Sequence, residues 1–344
     1  MKTVKTKKTD ANSPSSPTMK DVARLAEVSQ TTVSFVMSGA DMRISEDTRV
    51  RVLDAARELG YRSRSAGRPA RASRPRVIGL LIDEIATSPF AAISIESLQE
   101  QAWRQNVLLQ IVMTGADRNY ENEILRKWTD EQIDGVIYGS ILTRKVNPPD
   151  GLVRHKAVLL NCYDTDARFA SIVPAERRGG EVATQALIDE GHRRIAFISG
   201  EPWMEASDQR LEGYERALRA NDIPINPSLI VEGNFLPSGG REATLQVMQG
   251  KNRPDAIFCA NDLMAVGCYE ALKEMGESIG NTIAVMGYDD QEIAQHLEPP
   301  LSTVLLPHHE MGEWCAQALL FDAITEQVRV ECPVVLRKSH LHSE

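Results

Sequence analysis

The chain has 344 residues, 42% of them hydrophobic and 25% charged, which is the composition of a globular protein with two or three folded units. No apolar run approaches the roughly 18 residues of a membrane span, and no apolar stretch follows the N-terminal lysines as a secretory signal requires. The five cysteines form no CxxC pair, which argues against a zinc site or a disulfide scaffold. We therefore expect a cytoplasmic protein that holds no metal.

Charge is distributed unevenly along the chain. Residues 1–76 carry 16 Lys and Arg against 8 Asp and Glu, a net charge of +8, whereas the rest of the chain carries 23 against 40, a net charge of −17. A basic module before an acidic body suits contact with a polyanion, although a solvated basic tail would give the same count. Residues 1–17, rich in Ser, Pro, Lys and Thr, are predicted to form a disordered leader.

Three short helices are predicted between residues 18 and 64. Thr18 is expected to cap the first, Ser29 the second (Gln30–Met37) and Ser45 the third. A tight turn between the first two makes this a helix-turn-helix unit, although an ordinary three-helix subdomain would need no nucleic acid. The apolar faces expected to point inward are Val22, Leu25 and Ala26 of the first helix, Val33, Val36 and Met37 of the second, and Val50, Leu53, Ala56 and Leu59 of the third.

The string MKDVARLAEVSQTTVSFVMSG, followed by ISEDTRVRVLDAARELGY, closely resembles the N-terminal module of LacI/GalR transcription regulators. The signature of that family reads DVA…AGVS…TVSRVLN, and its third helix ends in LGY. The resemblance combines many positions at fixed spacing and continues through essentially the whole chain. It implies a DNA-binding regulator with a helix-turn-helix domain at residues 18–64, a hinge at 65–76 and an effector-binding and dimerisation body at 77–344.

In such a module the second helix lies in the major groove with its N-terminal residues on the base edges. Ser29, at the helix N-terminus, suits a phosphate, and Gln30 and Thr31 begin the exposed face, where a glutamine suits an adenine. The resemblance places Phe35 at a third base-reading position, where the family usually has a polar or basic residue. A phenyl ring can touch a thymine methyl group there, and a core contact is the alternative.

Residues 62–76 are rich in arginine and contain no acidic residue, which favours contact with DNA phosphates and the minor groove over a plain linker. The family places a hinge helix here, with a leucine wedged into the central base step. That position falls on Ala70, which is too small for a wedge, and Pro69 disfavours a continuous helix. Because Gly67-Arg68-Pro69 resembles the core of an AT-hook, we expect Arg68 to enter the minor groove instead.

Beyond residue 76, short apolar runs alternate with amphipathic stretches of about 10–15 residues, a pattern typical of βαβ units and a parallel sheet. The resemblance implies two Rossmann-like lobes, as in periplasmic sugar-binding proteins, with an N-lobe at about 77–175 and 305–333 and a C-lobe at about 176–304. A ligand would bind between them, at the carboxyl ends of the strands. The predicted strands are Val77–Ile82, Leu108–Val112, Gly135–Tyr138, Ala157–Leu160, Ile195–Ile198, Ala256–Cys259 and Ile283–Met286.

Carboxylates, amides and aromatic rings follow these strands, a set of groups that fits a neutral polyol or saccharide. The carbohydrate-binding relatives place effector contacts at positions matched by Arg210, Phe235, Asn261 and Asp289, and an arginine–aspartate pair can hold several hydroxyls. Aromatic rings elsewhere in the set can instead fill the core. The further candidates, chosen by their position after the strands, are Phe90, Asn161, Trp203 and Glu205.

Two rival readings have weaker support from the residues. The purine-binding branch of the family matches less well, because the positions it uses beside the ring fall on Met204 and Ala206, which cannot hydrogen-bond through their side chains. A glycoside-acting enzyme needs two carboxyls opposed across one bond, and adjacent residues such as Asp289 and Asp290 point in different directions. No GxSxG, Walker-type or HExxH motif appears, so no catalytic residue and no cofactor are expected.

A sugar receptor for transport would share the body, but it requires an export signal and has no use for residues 18–76. No heptad repeat follows the last strand, so a homodimer is expected. The sequence thus predicts a homodimeric repressor of carbohydrate-utilisation genes that binds double-stranded operator DNA. Release by a bound sugar is the expected sense, although the residues leave induction and corepression both open.

Overall fold

The computed structural model describes residues 18–38, 45–59, 75–84, 89–321 and 326–341. The chain falls into two compact units that separate between Pro75 and Arg76. The predicted leader at residues 1–17 and the arginine-rich segment 60–74 lie outside the described residues. Within the described part of the chain, no helix is long and apolar enough to cross a membrane.

The first unit contains α1 (Met19–Leu25), α2 (Gln30–Ser38) and α3 (Glu46–Glu58). Their starts are the predicted ones. The backbone N–H of Thr18 donates to the Asp21 carboxylate at 2.9 Å, which is half of a capping box. Ser45 Oγ accepts from the backbone N–H of Thr48 at the start of α3.

The core of this unit differs from the prediction on two helices. Leu25, Val50 and Leu53 are 44%, 47% and 42% exposed. Residues spaced strictly by three advance about 300° per step on a helix with 3.6 residues per turn, so the first two positions of the predicted stripe on α3 lie off its buried face. The other predicted core residues are confirmed: Val22, Ala26, Val33, Val36 and Ala56 are buried, and Met37 and Leu59 pack against them partly buried. Ala23, Val52 and Ala55 complete the core, and the buried positions 52, 55 and 56 of α3 follow a spacing of three and four.

The second unit, the body, alternates strands and helices. Its first part contains β1 (Arg76–Ile82), α4 (Pro89–Arg104), β2 (Val107–Met113), α5 (Arg118–Glu131), β3 (Gly135–Val146), a 3-10 turn (Asp150–Arg154), β4 (Ala157–Asp164) and β5 (Ala170–Pro174). Next come α6 (Glu176–Asp189), β6 (Ile195–Ser199), α7 (Glu205–Ala220), β7 (Ile230–Glu232), α8 (Pro237–Met248), β8 (Ala256–Cys259), α9 (Asp262–Glu274), β9 (Ala284–Met286), α10 (Glu292–His296) and β10 (Thr303–Val304). The last described elements are α11 (His308–Phe321), β11 (Gln327–Val330) and β12 (Val334–Val335).

Two parallel sheets define two lobes. The N-lobe contains a six-stranded sheet in the order β2-β1-β3-β4-β5-β11, with α4 and α11 on one face and α5 on the other. The C-lobe contains a four-stranded sheet in the order β7-β6-β8-β9, with α6 to α9 around it, and β10 and β12 form an antiparallel pair. The backbone passes between the lobes after β5, after β10 and after β11, so the predicted fold of two Rossmann-like lobes is confirmed.

All seven predicted strands are present. Six of them are continuous apolar runs that the sheets bury on both faces, whereas β2 lies at the edge of its sheet and is largely exposed. Strands β3 and β4 run well past their predicted ends into more polar sequence. Five other strands, β5, β7, β10, β11 and β12, were not predicted. The missed β5 has a consequence for the site, since it leads directly into Glu176.

Candidate functional site

A cavity of about 240 Å³ lies between the two lobes of the body. Residues near the carboxyl ends of β3 and β4 form its N-lobe wall, and residues that follow C-lobe strands form the opposite wall, as expected for parallel sheets. Its polar lining residues are Thr143, Asn161, Glu176, Arg210, Asn261, Asp289, Gln291 and His308. Its apolar lining residues are Ile141, Leu142, Pro174, Met204, Ala206, Phe235, Leu263 and Leu306.

Arg210, on α7, is the buried centre of the charge network in this cavity. Its Nε and Nη2 donate to the two carboxylate oxygens of Glu176 at 2.8 and 3.1 Å, a bidentate pair. Its Nη1 donates to the carbonyl oxygen of Ala260 at 2.5 Å and lies 3.4 Å from Asp289 Oδ1. The guanidinium carbon also lies 3.7 Å from the ring centroid of Tyr288. Protein groups therefore neutralise the cation and fix its orientation.

Helices α6 and α7 bring Glu176 and Arg210 together because they cross closely. Gly180 and Gly213 lie at the crossing, and a Cβ atom on either one would overlap the backbone of the other helix. The sequence places glycine at both positions, so the two helices approach to backbone contact. Glu176, the first residue of α6, then lies within reach of Arg210.

The cavity leaves no cation without a counter-charge among its described lining residues. Burial raises the pKa of Asp289 to about 7, since desolvation penalises the carboxylate, while the Arg210 cation acts in the opposite direction. Burial, with a smaller contribution from the Arg210 cation, lowers the pKa of His308 to about 4, so its imidazole is neutral near pH 7. An anionic ligand would meet Glu176 and a partly ionised Asp289, whereas a neutral polar ligand would not be repelled.

Phe235 enters the cavity because three features fix its position. Its backbone adopts φ +58°, its carbonyl oxygen accepts from Asn261 Nδ2 at 3.1 Å, and its ring lies directly on Gly200, where a Cβ atom would overlap it. Asn261 is itself held as the cap of α9, since its Oδ1 accepts from the Met264 N–H at 2.8 Å. The ring is a rigid apolar platform beside polar groups.

The N-lobe wall depends on an irregularity in β3. Its pairing with β4 shifts register between Gly139 and Arg144, and residues 141–143 line the cavity. Thr143 Oγ1 donates to Asn161 Oδ1 at 2.7 Å, and Asn161 Nδ2 donates to the carbonyl oxygen of Ser140 at 3.1 Å. The amide of Asn161 is therefore held in place by β3.

The structure brings together five of the eight effector-binding candidates: Asn161, Arg210, Phe235, Asn261 and Asp289. Trp203 does not line the cavity and is 68% exposed. Glu205 does not line it either, because its carboxylate accepts hydrogen bonds from Tyr163 and Gln209 outside the lining. The side chain of Phe90, on α4, lies outside what the structure describes.

Several lining residues were missed from the sequence. Glu176 follows the unpredicted β5, and the rule that ligands bind after strand ends would have found it once that strand was known. Thr143 lies within the irregular part of β3, which has no sequence signal. Gln291 follows Asp289 by two residues and donates to it from Nε2 at 3.2 Å, whereas His308 begins α11 at a crossing between the lobes.

The helix-turn-helix unit presents the start of α2 to solvent. Ser29 Oγ accepts from the Thr32 N–H at 3.0 Å and therefore caps the helix, and Gln30 is exposed as its first residue. The side chains of Thr31 and Phe35 lie outside the described residues, as does the whole of Arg68. The described part of this surface is thus a capped helix N-terminus with free backbone N–H groups, which favours an anion such as phosphate.

Comparison with known proteins gives matches to both units. Residues 18–63 match the family described as bacterial regulatory proteins, lacI family, and residues 184–340 match the periplasmic binding protein-like domain. The chain is 34% identical over 303 residues to the ribose operon repressor of Haemophilus influenzae, which covers 88% of this chain and 91% of that relative. It is 32% identical over 307 residues to the HTH-type transcriptional repressor PurR of Vibrio vulnificus, with the same coverage.

A solved structure extends the match to almost the whole chain. The transcriptional regulator CelR–cellobiose complex is similar with a TM-score of 0.64 at 27% identity and covers 94% of this chain and 99% of that chain. The family matched by residues 18–63 consists of bacterial regulatory proteins, and both relatives are named as repressors. The chain therefore belongs to the lacI family of bacterial regulatory proteins: it is a DNA-binding transcription regulator, not an enzyme, with a periplasmic-binding-protein-like body.

Proposed function

We propose that this protein is a homodimeric repressor whose affinity for a pseudo-palindromic operator is controlled by a neutral sugar bound between its lobes. The observation that carries the sugar assignment is the compensated charge of the cavity. Arg210 is paired with Glu176 and Asp289, so the lining residues that the structure describes offer no unpaired arginine or lysine to a phosphate or carboxylate group. Amide and carboxyl groups remain for hydroxyls, and Phe235 provides an apolar platform. The ribose operon repressor, by its name, serves a sugar operon, which agrees with this proposal.

The size of the cavity favours a monosaccharide. Its volume of about 240 Å³ lies below the roughly 300–1,000 Å³ of pockets for drug-sized ligands. Isothermal titration of the purified protein with D-ribose, D-glucose, cellobiose, ribose 5-phosphate and hypoxanthine tests the assignment. We expect binding of a neutral monosaccharide and none of the phosphate ester. Binding of hypoxanthine alone would instead indicate a purine-responsive regulator. Met204 and Ala206, at the positions that the purine-binding branch uses beside the ring, line the same cavity.

Replacing Gly200 by alanine is expected to weaken sugar binding at least about tenfold, an effect of about 1.4 kcal/mol. The added Cβ would occupy the space of the Phe235 ring, which must then swing away from its platform position. Titration with the monosaccharide that the wild type binds measures the effect. Gly250→Ala is the control, because Gly250 lies exposed in the same lobe and a Cβ atom there would meet only the carbonyl oxygen of Val247, at 3.2 Å, and no aromatic ring. Equal sugar affinities of the two variants would show that the Phe235 ring does not contact the sugar.

An exposed apolar edge of the N-lobe supports the homodimer. β2 is the edge strand of the six-stranded sheet, and Leu108 and Met113 on it are exposed, as is Trp103 just before it. A long apolar edge promotes uncontrolled association unless another chain covers it. A second copy related by a two-fold axis covers the same surface on both subunits. We therefore infer that β2 and the end of α4 form part of the dimer interface.

Met113→Lys is expected to raise the dimer dissociation constant at least about tenfold, because a two-fold interface would bury the added charge twice. Sedimentation velocity at micromolar concentration measures the shift toward monomer. Val153→Lys is the control, since Val153 is equally exposed on the 3-10 turn of the same lobe, away from β2. An unchanged dimer dissociation constant of the Met113→Lys variant would show that Met113 lies outside the dimer interface.

A further inference from the structure

A hydrogen bond joins the two lobes beside the cavity. Tyr163, near the end of β4 in the N-lobe, donates its phenolic hydrogen to Oε1 of Glu205 at 2.8 Å. Glu205 is the first residue of α7 in the C-lobe. The same Oε1 accepts from Nε2 of Gln209, one helical turn further along α7, at 2.6 Å. The carboxylate is thus held by its own helix and presented to the opposite lobe.

The chain positions of the two partners link this bond to the cavity walls. Tyr163 lies two residues after Asn161, which lines the N-lobe wall. Glu205 lies between Met204 and Ala206, both of which line the C-lobe wall. Because donor and acceptor come from different lobes, any opening of the cleft at this place separates them.

We propose that Tyr163 and Glu205 are positioning residues that hold the two walls of the cavity at the distance at which both walls contact the effector. The identity of the effector in this inference rests on the proposed function, whereas the contact between Tyr163 and Glu205 is part of the structure. A phenol that donates to a carboxylate is a strong, charge-assisted hydrogen bond. Burial and the bond to Glu205 raise the pKa of Tyr163, so the donor keeps its proton across the physiological range.

Direct contact of Glu205 with the effector is the competing role for this residue. Its Oε1 already accepts two hydrogen bonds, and the residue is absent from the cavity lining although both of its neighbours belong to it. The geometry therefore assigns Glu205 to the contact between lobes. Tyr163, which follows the predicted strand Ala157–Leu160 in the sequence, is its partner.

The first test needs no ligand. Hydrogen–deuterium exchange of the full-length protein without sugar compares wild type with Tyr163→Phe, which removes the hydroxyl and keeps the ring. We expect amides in residues 204–210 and at the end of β4 to exchange several-fold faster in the variant. Tyr120→Phe, which changes an exposed tyrosine on α5 of the same lobe, is the control and should leave both regions unchanged. Unchanged exchange in Tyr163→Phe would overturn the proposal whether or not a sugar binds.

The second test is a double-mutant cycle on D-ribose affinity with Tyr163→Phe, Glu205→Ala and the combined variant. Tyr163→Phe should weaken binding on the order of fivefold, mainly through faster dissociation, in the background that contains Glu205. It should have no effect in the background of Glu205→Ala, because the bond is already absent. Glu205→Gln, which keeps an acceptor oxygen, should restore most of the affinity lost in Glu205→Ala. Additive effects of the two single changes would overturn the proposal. Failure of the wild type to bind either D-ribose or D-glucose would count against the sugar assignment, and the exchange experiment would still decide the role of the contact.

Discussion

Replacing Arg210 by alanine is expected to lower the free energy of unfolding of the body by about 3–5 kcal/mol at pH 8 and to abolish effector binding. The change leaves the buried carboxylates of Glu176 and Asp289 without the cation that neutralises them. It also removes the hydrogen bond to the carbonyl oxygen of Ala260 and the contact with the Tyr288 ring. Urea denaturation followed by circular dichroism measures the loss, and titration with the wild-type effector measures binding.

The loss should depend on pH in a defined direction. The pKa of Asp289 is raised to about 7 in the folded protein, above the roughly 3.9 of an unfolded chain. A raised carboxyl pKa contributes stability that is present at low pH and is lost as the pH rises from about 4 through about 7. Without Arg210 the ionised form is penalised further, so Arg210→Ala should be less damaging at pH 5 than at pH 8.

A surface arginine of the same helix provides the control. Arg219 pairs with Glu215 one turn away and is exposed, so Arg219→Ala should change the free energy of unfolding by no more than about 0.5 kcal/mol at either pH. An Arg210→Ala variant that resembled this control would show that the buried network contributes little. A large loss that was equal at pH 5 and pH 8 would exclude the buried carboxylates as its cause.

Replacing Gln30 by alanine is expected to reduce operator affinity by roughly 5- to 150-fold, the effect of about 1–3 kcal/mol for one good contact to a base edge. Gln30 is the exposed first residue of α2, immediately after the Ser29 cap, and changing it leaves the buried side of the unit intact. Affinity for unrelated DNA should not change, because that term comes from phosphate contacts.

Fluorescence anisotropy at one fixed salt concentration separates these two terms. The operator is obtained by selection from random DNA with the wild-type protein, and a scrambled duplex of the same composition reports non-specific affinity. Leu53→Ala, on the exposed face of α3, keeps the charge of the unit and should bind the operator as the wild type does. Equal loss on operator and scrambled DNA in Gln30→Ala would assign this residue to backbone contact rather than base reading.

Local signals in the sequence account for the parts of the fold that were predicted. Helix starts at Thr18, Ser29 and Ser45 depend on a residue and its neighbour three positions away. The side chains of Ser29 and Ser45 cap their helices, and at Thr18 the Asp21 carboxylate accepts from the backbone N–H. Strands such as Ala256–Cys259 are short continuous apolar runs, and burial on both faces of a parallel sheet accounts for them. Candidates placed directly after such strands, including Asn261 and Asp289, line the cavity for the same reason.

Features set by tertiary contacts were not predicted. The register shift of β3 depends on its pairing with β4, which carries no mark in residues 140–143. Glu205 follows the carboxyl end of β6, where a ligand contact is expected, yet its carboxylate accepts a hydrogen bond from Tyr163 of the other lobe. Neither Tyr163 as the partner of Glu205 nor Glu176 as a second partner of Arg210, beside Asp289, can be inferred from spacing along one chain segment.

We expect occupation of the cavity between the lobes to change the affinity of the helix-turn-helix unit for its operator. The decisive measurement is operator anisotropy of the full-length protein with and without the monosaccharide that it binds, beside Arg210→Ala. Saturating sugar should weaken wild-type operator binding at least about tenfold and should leave Arg210→Ala unaffected. Operator affinity that is identical with and without sugar, in a wild-type protein shown to bind that sugar, would contradict this expectation.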